Sequence, residues 1–313
     1  MSRRRLLPSR VLVLRRLLVL VGTTLTPLHV AAQESATVLG PREAAERLTY
    51  APLTFEQPVV TTHDIEGIPV LLLEDHDLPL VTVAVYIRGG YGLFGREYYG
   101  AAMGLPALLR YGGSGDLAPE EVDARLERLA LQVSFGSAGG SVTSSVNTLT
   151  EHLPDALELW GDMLTRPRFA ASEIEAWRAR QLEGVRRRVD DPARLAYSEI
   201  NRLLFGDHPI GWETDEADLA SERLEPETFS TLHGRIVCRD NVTLGVTGDT
   251  DGWAVQPLLA ELLARMPECA EPLPESPIPE IRRAPGVFLI EKDVAQSVVV
   301  MAHPTNVRLA DDA

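Results

Sequence analysis

The fold is decided by the stretch Gly67–Gly90, "GIPVLLLEDHDLPLVTVAVYIRGG". Two β-type runs, Ile68–Leu73 and Leu80–Ile87, flank a polar "EDHD" segment that ends at Pro79. In the second run Val81, Val83, Val85 and Ile87 alternate with Thr82, Ala84 and Tyr86, a period of two that suits a sheet with both faces covered. A third run, Val59–Ile65, precedes it across a Glu66-Gly67 turn.

Working outward, the pattern turns helical. "LAPEEVDARLERLAL" places Pro119 at a first helical position, acidic residues in the first turn, and Val122, Leu126 and Leu129 on one face. "QVSFGSAGGSVTSSVNTLT" reads as a hairpin about Gly139-Gly140. Helical spacing returns in Leu153, Leu157, Trp160 and Leu164 and stops before Pro167. Ser172 with Glu175 forms a capping-box pattern for a charged helix, and Asp190-Asp191-Pro192 breaks it and begins another that runs to Phe205. "GDHPIG" is a turn, "PETFSTLHGRIV" a helix and "NVTLGVTGD" a strand. Val255, Leu258, Leu259, Leu262 and Leu263 mark a last helix. The order predicts an α+β fold, a mixed or antiparallel sheet with helices packed on it, rather than alternating βαβ units.

The 313 residues are 45% hydrophobic, enough for a sizeable core. A net charge of −15 argues against nucleic acid or an anionic membrane surface as partner. Residues 1–32 have the arginine-rich start, short apolar run and small residues at Ala31 and Ala32 of a secretory signal peptide, so export with cleavage after Ala32 is expected. The apolar run is too short to span a bilayer as a mature helix. Residues 33–52 read as a leader, 53–266 as the domain, and 267–285, "PECAEPLPESPIPEIRRAP", as a proline-rich linker. Residues 286–313 offer two further strands, the opening of a second domain. The two cysteines, Cys238 and Cys269, are either bridged or two buried thiols.

Taken in order, "GIPVLLLEDHDLPLVTVAVYIRGG", a helix followed by Gly-Gly, "EEVDARLERLALQVS", "DDPARLA", "FGDHPIG" and "NVTLGVTGD" resemble the insulinase–pitrilysin (inverzincin) peptidases. Active members carry H-x-x-E-H on the helix after the third strand. Two His side chains four apart hold Zn²⁺ on one helical face, and the Glu activates a water whose pKa the metal lowers to about 7. In this chain the helix reads "YYGAAMGLPALLRYGGSG", Tyr98–Gly115. The resemblance puts Met103, Pro106 and Ala107 where His, Glu and His belong, or, in an alternative register, Ala107, Arg110 and Tyr111. Counting back from Asp190-Asp191-Pro192 puts Gly184 at the position of the further Glu ligand, and the neighbouring Glu183 would point about 100° away. Neither register supplies a zinc ligand or a general base. Of the histidines at 63, 76, 152, 208, 233 and 303, no two are three or four residues apart. His76 and His208 sit in turns, where structural hydrogen bonding is expected.

The resemblance therefore implies an exported, non-catalytic subunit in a bacterial periplasm or cell envelope. It would hold no cofactor of its own and would help a zinc-bearing family member, as a hetero-oligomer, to enclose and bind peptide. In such pairs the companion's second domain supplies an Arg/Tyr pair, which belongs beyond the residues of this sequence. Two other readings stand beside it: a structural or peptide-binding protein without a peptidase partner, and an active peptidase with a rearranged zinc site. An edge strand near "SVTSSVNT" would suit an extended peptide, against an ordinary interior strand.

Overall fold

In the computed structural model the described residues are 57–303 apart from 276 and 282–284, together with 42, 47, 48 and 50. Residues 1–32, expected to be a signal peptide, lie outside them, as do most of residues 33–52, expected to be a leader. The chain divides after Glu56, and the account below concerns the unit from Gln57 onward.

Six strands form one sheet: β1 (Thr61–Ile65), β2 (Ile68–Glu74), β3 (Leu80–Arg88), β4 (Gln132–Ser137), β5 (Ser141–Leu149) and β6 (Val242–Gly248). Their spatial order is β1-β2-β6-β3-β5-β4. The sheet is mixed, because β6 runs parallel to β2 and antiparallel to β3, while the remaining pairs are antiparallel. β2 and β3 are consecutive in sequence yet not neighbours; the turn between them bridges the end of β6. There Asp75 donates its N–H to the Gly248 carbonyl and Asp249 donates to that of Leu80, at 3.0 and 2.9 Å. Gly248 has φ +122°, and a Cβ on it would overlap the Leu80 carbonyl, so this crossing requires glycine.

Among the described residues from Gln57 onward seven α-helices accompany the sheet: α1 (Tyr99–Tyr111), α2 (Pro119–Arg128), α3 (Leu153–Thr165), α4 (Ala171–Arg188), α5 (Pro192–Phe205), α6 (Pro226–Ile236) and α7 (Gly252–Ala264). The inward residues of the strands, among them Val70, Leu72, Val83, Val85, Val146 and Leu244, join Leu105, Trp160, Phe229 and Leu259 from the helices in one core. The period of two read in β3 is real, but among the described residues only one face of the sheet is covered. On the other, Thr82 and Ala84 are half-buried and Tyr86 is 48% exposed.

Local chemistry sets the element ends. Asp191 caps α5, its carboxylate accepting from the N–H groups of Ala193 and Arg194, which explains why Asp-Pro separates α4 from α5. Glu121 reaches back to the Ala118 N–H at 2.7 Å to start α2. The capping box expected at Ser172 and Glu175 does not form. α4 begins two residues earlier than that cap implies, at Ala171 with Ala170 as N-cap, so Ser172 is already helical and Glu175 pairs instead with Arg178 at 3.3 Å. Nor are the two strands expected after residue 286 formed among the described residues. Val287, Leu289 and Val299 are exposed there, and without a neighbouring strand their backbone has no ladder to join. The cysteines are bridged, Cys238 to Cys269.

One buried polar chain crosses between helix and sheet. The Trp160 indole N–H, on a fully buried ring, donates to Ser144 Oγ at 2.8 Å, and that hydroxyl donates to the Ser134 carbonyl at 2.8 Å. This accounts for a serine on the apolar face of β5. Ser144→Ala should cost about 1–3 kcal/mol in urea unfolding, the penalty of a buried N–H left without an acceptor.

A second buried group gives the fold a pH dependence. The His233 imidazole donates to the Leu164 carbonyl at 2.8 Å, and burial holds its pKa below the ordinary 6.5. Beneath about pH 6.5 the unfolded chain takes up a proton that the folded chain refuses, so stability falls with pH from there toward the lowered folded value. The contribution is fully present above that window. The melting temperature should drop as the pH is lowered below about 6.5, and His233→Gln, which retains a donor, should flatten this part of the profile.

Candidate functional site

α1 is the helix that the resemblance singles out. Its buried side carries Ala101, Ala102, Leu105, Leu108 and Leu109. Gly104 lies under α4, where a methyl group would come within 2.9 Å of the Trp177 ring, so the Trp177 indole packs directly on the backbone of α1. Pro106 sits inside the helix and is buried. It lacks the N–H that would bond to the Ala102 carbonyl, a defect of about 3 kcal/mol in an ordinary helix, yet α1 continues to Tyr111.

Met103, Ala107 and Arg110 follow one another at four- and three-residue spacing on the half-exposed stripe of α1. Arg110 donates to Asp123 at 2.8 Å and lies 4.7 Å over the ring of Tyr111, which is 47% exposed. Gly184 is exposed on α4 with nothing within 4 Å of a would-be Cβ. Glu183 beside it is tied to Arg187 at 2.6 Å. Ala, Pro and Gly side chains carry no donor atom, a Met thioether is a soft neutral ligand, and a guanidinium repels a dication. Among the described residues no three His, Cys, Asp or Glu side chains cluster to hold a metal.

The two turn histidines occupy structural bonds. His76 Nδ1 meets Asp249 Oδ1 at 2.8 Å, and that bond raises the His76 pKa while lowering that of Asp249. His208 accepts from the Ile210 N–H through Nδ1, which leaves Nε2–H to donate to the Pro277 carbonyl at 3.0 Å. The turn positions of both, read from the sequence, are as found.

A polar cluster that the sequence does not reveal sits at the start of α1. The Arg96 guanidinium is 4.8 Å from the ring centre of Tyr99 and 5.4 Å from that of Trp212, and it pairs with Asp218 at 2.8 Å. Tyr99 donates to the Trp212 carbonyl at 3.1 Å, and burial pushes its pKa up to about 12, so it remains a neutral donor. Burial also raises the pKa of Asp218, against the pull of Arg96. The cluster fastens the segment around residues 212–218 to the first turn of α1. More than a hundred residues separate its two sides, and no local pattern connects them.

The open face of the sheet completes the site. Its central residues are Thr82, Ala84, Tyr86, Thr143, Ser145 and Asn147, uncharged side chains that, Ala84 apart, carry hydroxyl or amide groups. Asn147 donates to Thr82 Oγ1 at 2.8 Å, and Ser134 and Ser145 share a bond of 2.9 Å. The segment "SVTSSVNT" is the interior strand β5, between β3 and β4. The sheet edge on this side is β4, which follows α2 and packs against α1.

No protein-family profile matches the chain. It is 22% identical over 220 residues to proteins named as uncharacterized zinc proteases of Mycobacterium bovis and Mycobacterium tuberculosis, covering 70% of this chain and 50% of theirs. The chain thus spans about half the length of these curated relatives. Among solved structures it resembles the peptidase M16 inactive domain from Pseudomonas fluorescens, with a TM-score of 0.62, 20% identity, and coverage of 71% of this chain and 55% of that one. It also resembles a protease from Helicobacter pylori, with a TM-score of 0.63, 17% identity, and coverage of 72% and 55%. The mixed six-stranded sheet with its helices is the fold of an M16 (insulinase-type) peptidase domain. The resemblance read in the sequence recurs independently in relatives named zinc protease and in a structural neighbour named an inactive M16 domain.

The surroundings of Gly184 give a direct check. In an exposed helix interior with open space, Gly184→Ala should stabilise the protein by about 0.5–1 kcal/mol. A loss in chemical denaturation would show that α4 carries a close contact at this position.

Proposed function

We propose that this chain is a non-catalytic subunit of an insulinase-type zinc peptidase, helping a zinc-bearing family member to enclose and bind its peptide substrate. The observation that carries the proposal is the fold of an M16 domain whose metal positions, by resemblance, are filled by Met103, Pro106, Ala107 and Gly184. The alternative register, Ala107, Arg110 and Tyr111, leads to the same chemistry. Arg110 and Tyr111 are engaged with Asp123 and with each other, and neither is suited to activating a metal-bound water.

Zinc-assisted hydrolysis requires three ligands, an open coordination position and a base near the bound water. In the proposed complex the partner supplies all of these. This chain supplies the uncharged sheet face around Thr82, Ser145 and Asn147, and the outer edge of β4, which pairs with no further strand among the described residues and whose backbone groups suit an extended peptide. Export to a bacterial periplasm or envelope, and a following second domain that carries an Arg/Tyr pair, belong to the same reading. A structural or peptide-binding role without a peptidase partner would use the same face and edge.

The test compares the purified mature chain with whatever accompanies it from its native host. After loading with excess zinc and removal of loose metal, the chain alone should retain less than about 0.1 zinc per molecule and hydrolyse no peptide. The co-purified assembly should contain about one zinc per pair and lose its peptidase activity to a chelator. One zinc per isolated chain would overturn the proposal in favour of a rearranged site. An isolated chain with no metal-bearing companion would favour the partnerless role.

A further inference from the structure

The first part of the proline-rich stretch after α7 is fastened to the domain at points between Pro267 and Pro277. The Arg239 N–H donates to the Pro267 carbonyl at 2.9 Å, and two residues on Cys269 is bonded to Cys238, with Cα atoms 5.0 Å apart. Leu273 is partly buried against the core, and a Cβ at Gly89 would lie 3.0 Å from it. Finally His208 donates to the Pro277 carbonyl. Between these ties residues 267–277 form no helix or strand among those described, and most are exposed. Their hold on the domain therefore rests on a few discrete contacts, of which only the disulfide is covalent.

The two sulfurs of that disulfide have different surroundings. Cys238 is 1% exposed, and the buried Asn241 amide approaches its Sγ at 3.0 Å as a donor. Cys269 is half-exposed in an exposed segment. Thiol–disulfide exchange attacks the sulfur that can be reached and expels the other as a thiolate, faster when that thiolate is stabilised. Here the reachable sulfur is that of Cys269, and the expelled one is already faced by a hydrogen-bond donor.

We propose that the Cys238–Cys269 disulfide is a clasp that opens from the Cys269 side, so that a small dithiol releases the strap 267–277 while the domain stays folded. A thiolate of the dithiol attacks Cys269 Sγ, the S–S bond breaks, and Cys238 leaves as a thiolate that accepts from Asn241. The second thiol of the dithiol then displaces Cys269 and closes its own disulfide. Two electrons and two protons pass from the dithiol to the protein, which ends with two cysteine thiols. The domain survives because the strap contributes only the partly buried Leu273 to the core, whereas β6 is held on both sides by β2 and β3.

Brief treatment of the full chain with glutathione, followed by alkylation and mass spectrometry, tests the direction. The glutathione adduct should be on Cys269 and the free thiol on Cys238; the opposite placement would overturn the proposal. Glutamyl endopeptidase tests the release. Cleavage after Glu268 or Glu275 should accelerate at least about tenfold on reduction by dithiothreitol, and equally in the double variant Cys238→Ser with Cys269→Ser. Amide exchange in β3 and β6 should be unchanged. Equal cleavage rates with the disulfide open and closed would show that the other ties alone hold the strap. Loss of protection in β6 on reduction would show that the bridge stabilises the domain as a whole. Either result would sink the clasp. Asn241→Asp keeps the acceptor that Arg88 uses and removes the donor, and should slow reduction by about tenfold with the disulfide still formed. An unchanged rate would remove Asn241 from the proposal.

Discussion

The architecture depends on the insertion of β6 between β2 and β3. Those two strands are consecutive, and with five residues between them the simplest outcome would be a hairpin. Their connection instead spans a gap one strand wide, which a strand from more than 150 residues later fills. Until β6 arrives, the facing edges of β2 and β3 have unpaired backbone groups, and the inward valines of β3 have neighbours only on the β5 side. The closing contacts at Asp75, Leu80, Gly248 and Asp249 fix the register at one end of the insertion. A side chain at Gly248 would push the Leu80 carbonyl out of that register. The core is consequently assembled from the two ends of the domain together, a non-local arrangement of the kind that folds slowly.

Much of this fold was legible in the sequence because its signals are periodic and local. Val81, Val83, Val85 and Ile87 announce β3 by a period of two; Leu153, Leu157, Trp160 and Leu164 announce α3 by a period near 3.6. Gly139-Gly140 marks the hairpin, and Asp191-Pro192 marks a helix start by capping chemistry that acts within three residues. The position of β6 was not legible, since nothing in "NVTLGVTGD" states which strands flank it. The capping box at Ser172 failed although serine is the better N-cap, because the helix starts two residues earlier, at Ala171, and local capping preference is overridden there. The strands expected after residue 286 failed for another reason. A β-type sequence such as "GVFLI" expresses a preference for extended backbone, and a strand also requires a partner.

The candidate site divides in the same way. That positions 103, 106 and 107 hold no ligand set follows from residue identity alone, and no geometry is needed to see it. The Arg96–Tyr99–Trp212–Asp218 cluster was hidden because its two halves meet only after the chain folds. The strap was half hidden. Its composition pointed to a tether, but proline richness limits the conformations of a segment without saying what it touches. The structure adds Leu273, His208 and the bridge, and the tether becomes a fastened element.

If α1 stands where a zinc-binding helix would, as proposed, such a site is not a single substitution away from chemistry. In a metal-binding helix of this type the two ligands and the base project from one face, and the remaining ligand comes from a neighbouring helix. Here that face presents a thioether and a methyl group at Met103 and Ala107, and Pro106 is turned into the buried side. The contact between α1 and α4 is meanwhile set by Gly104 under Trp177, a packing arrangement independent of any metal. One new imidazole on this stripe would gain only one bond to a metal that needs three protein ligands, with no chelate to offset the cost of fixing the side chain. Each ligand is useful only when the others are present. Once more than one is absent, packing alone decides which residues the helix accepts. Gly104, Leu105 and Leu108 serve that packing, and so the helix keeps its place and its neighbours with none of the reactive groups.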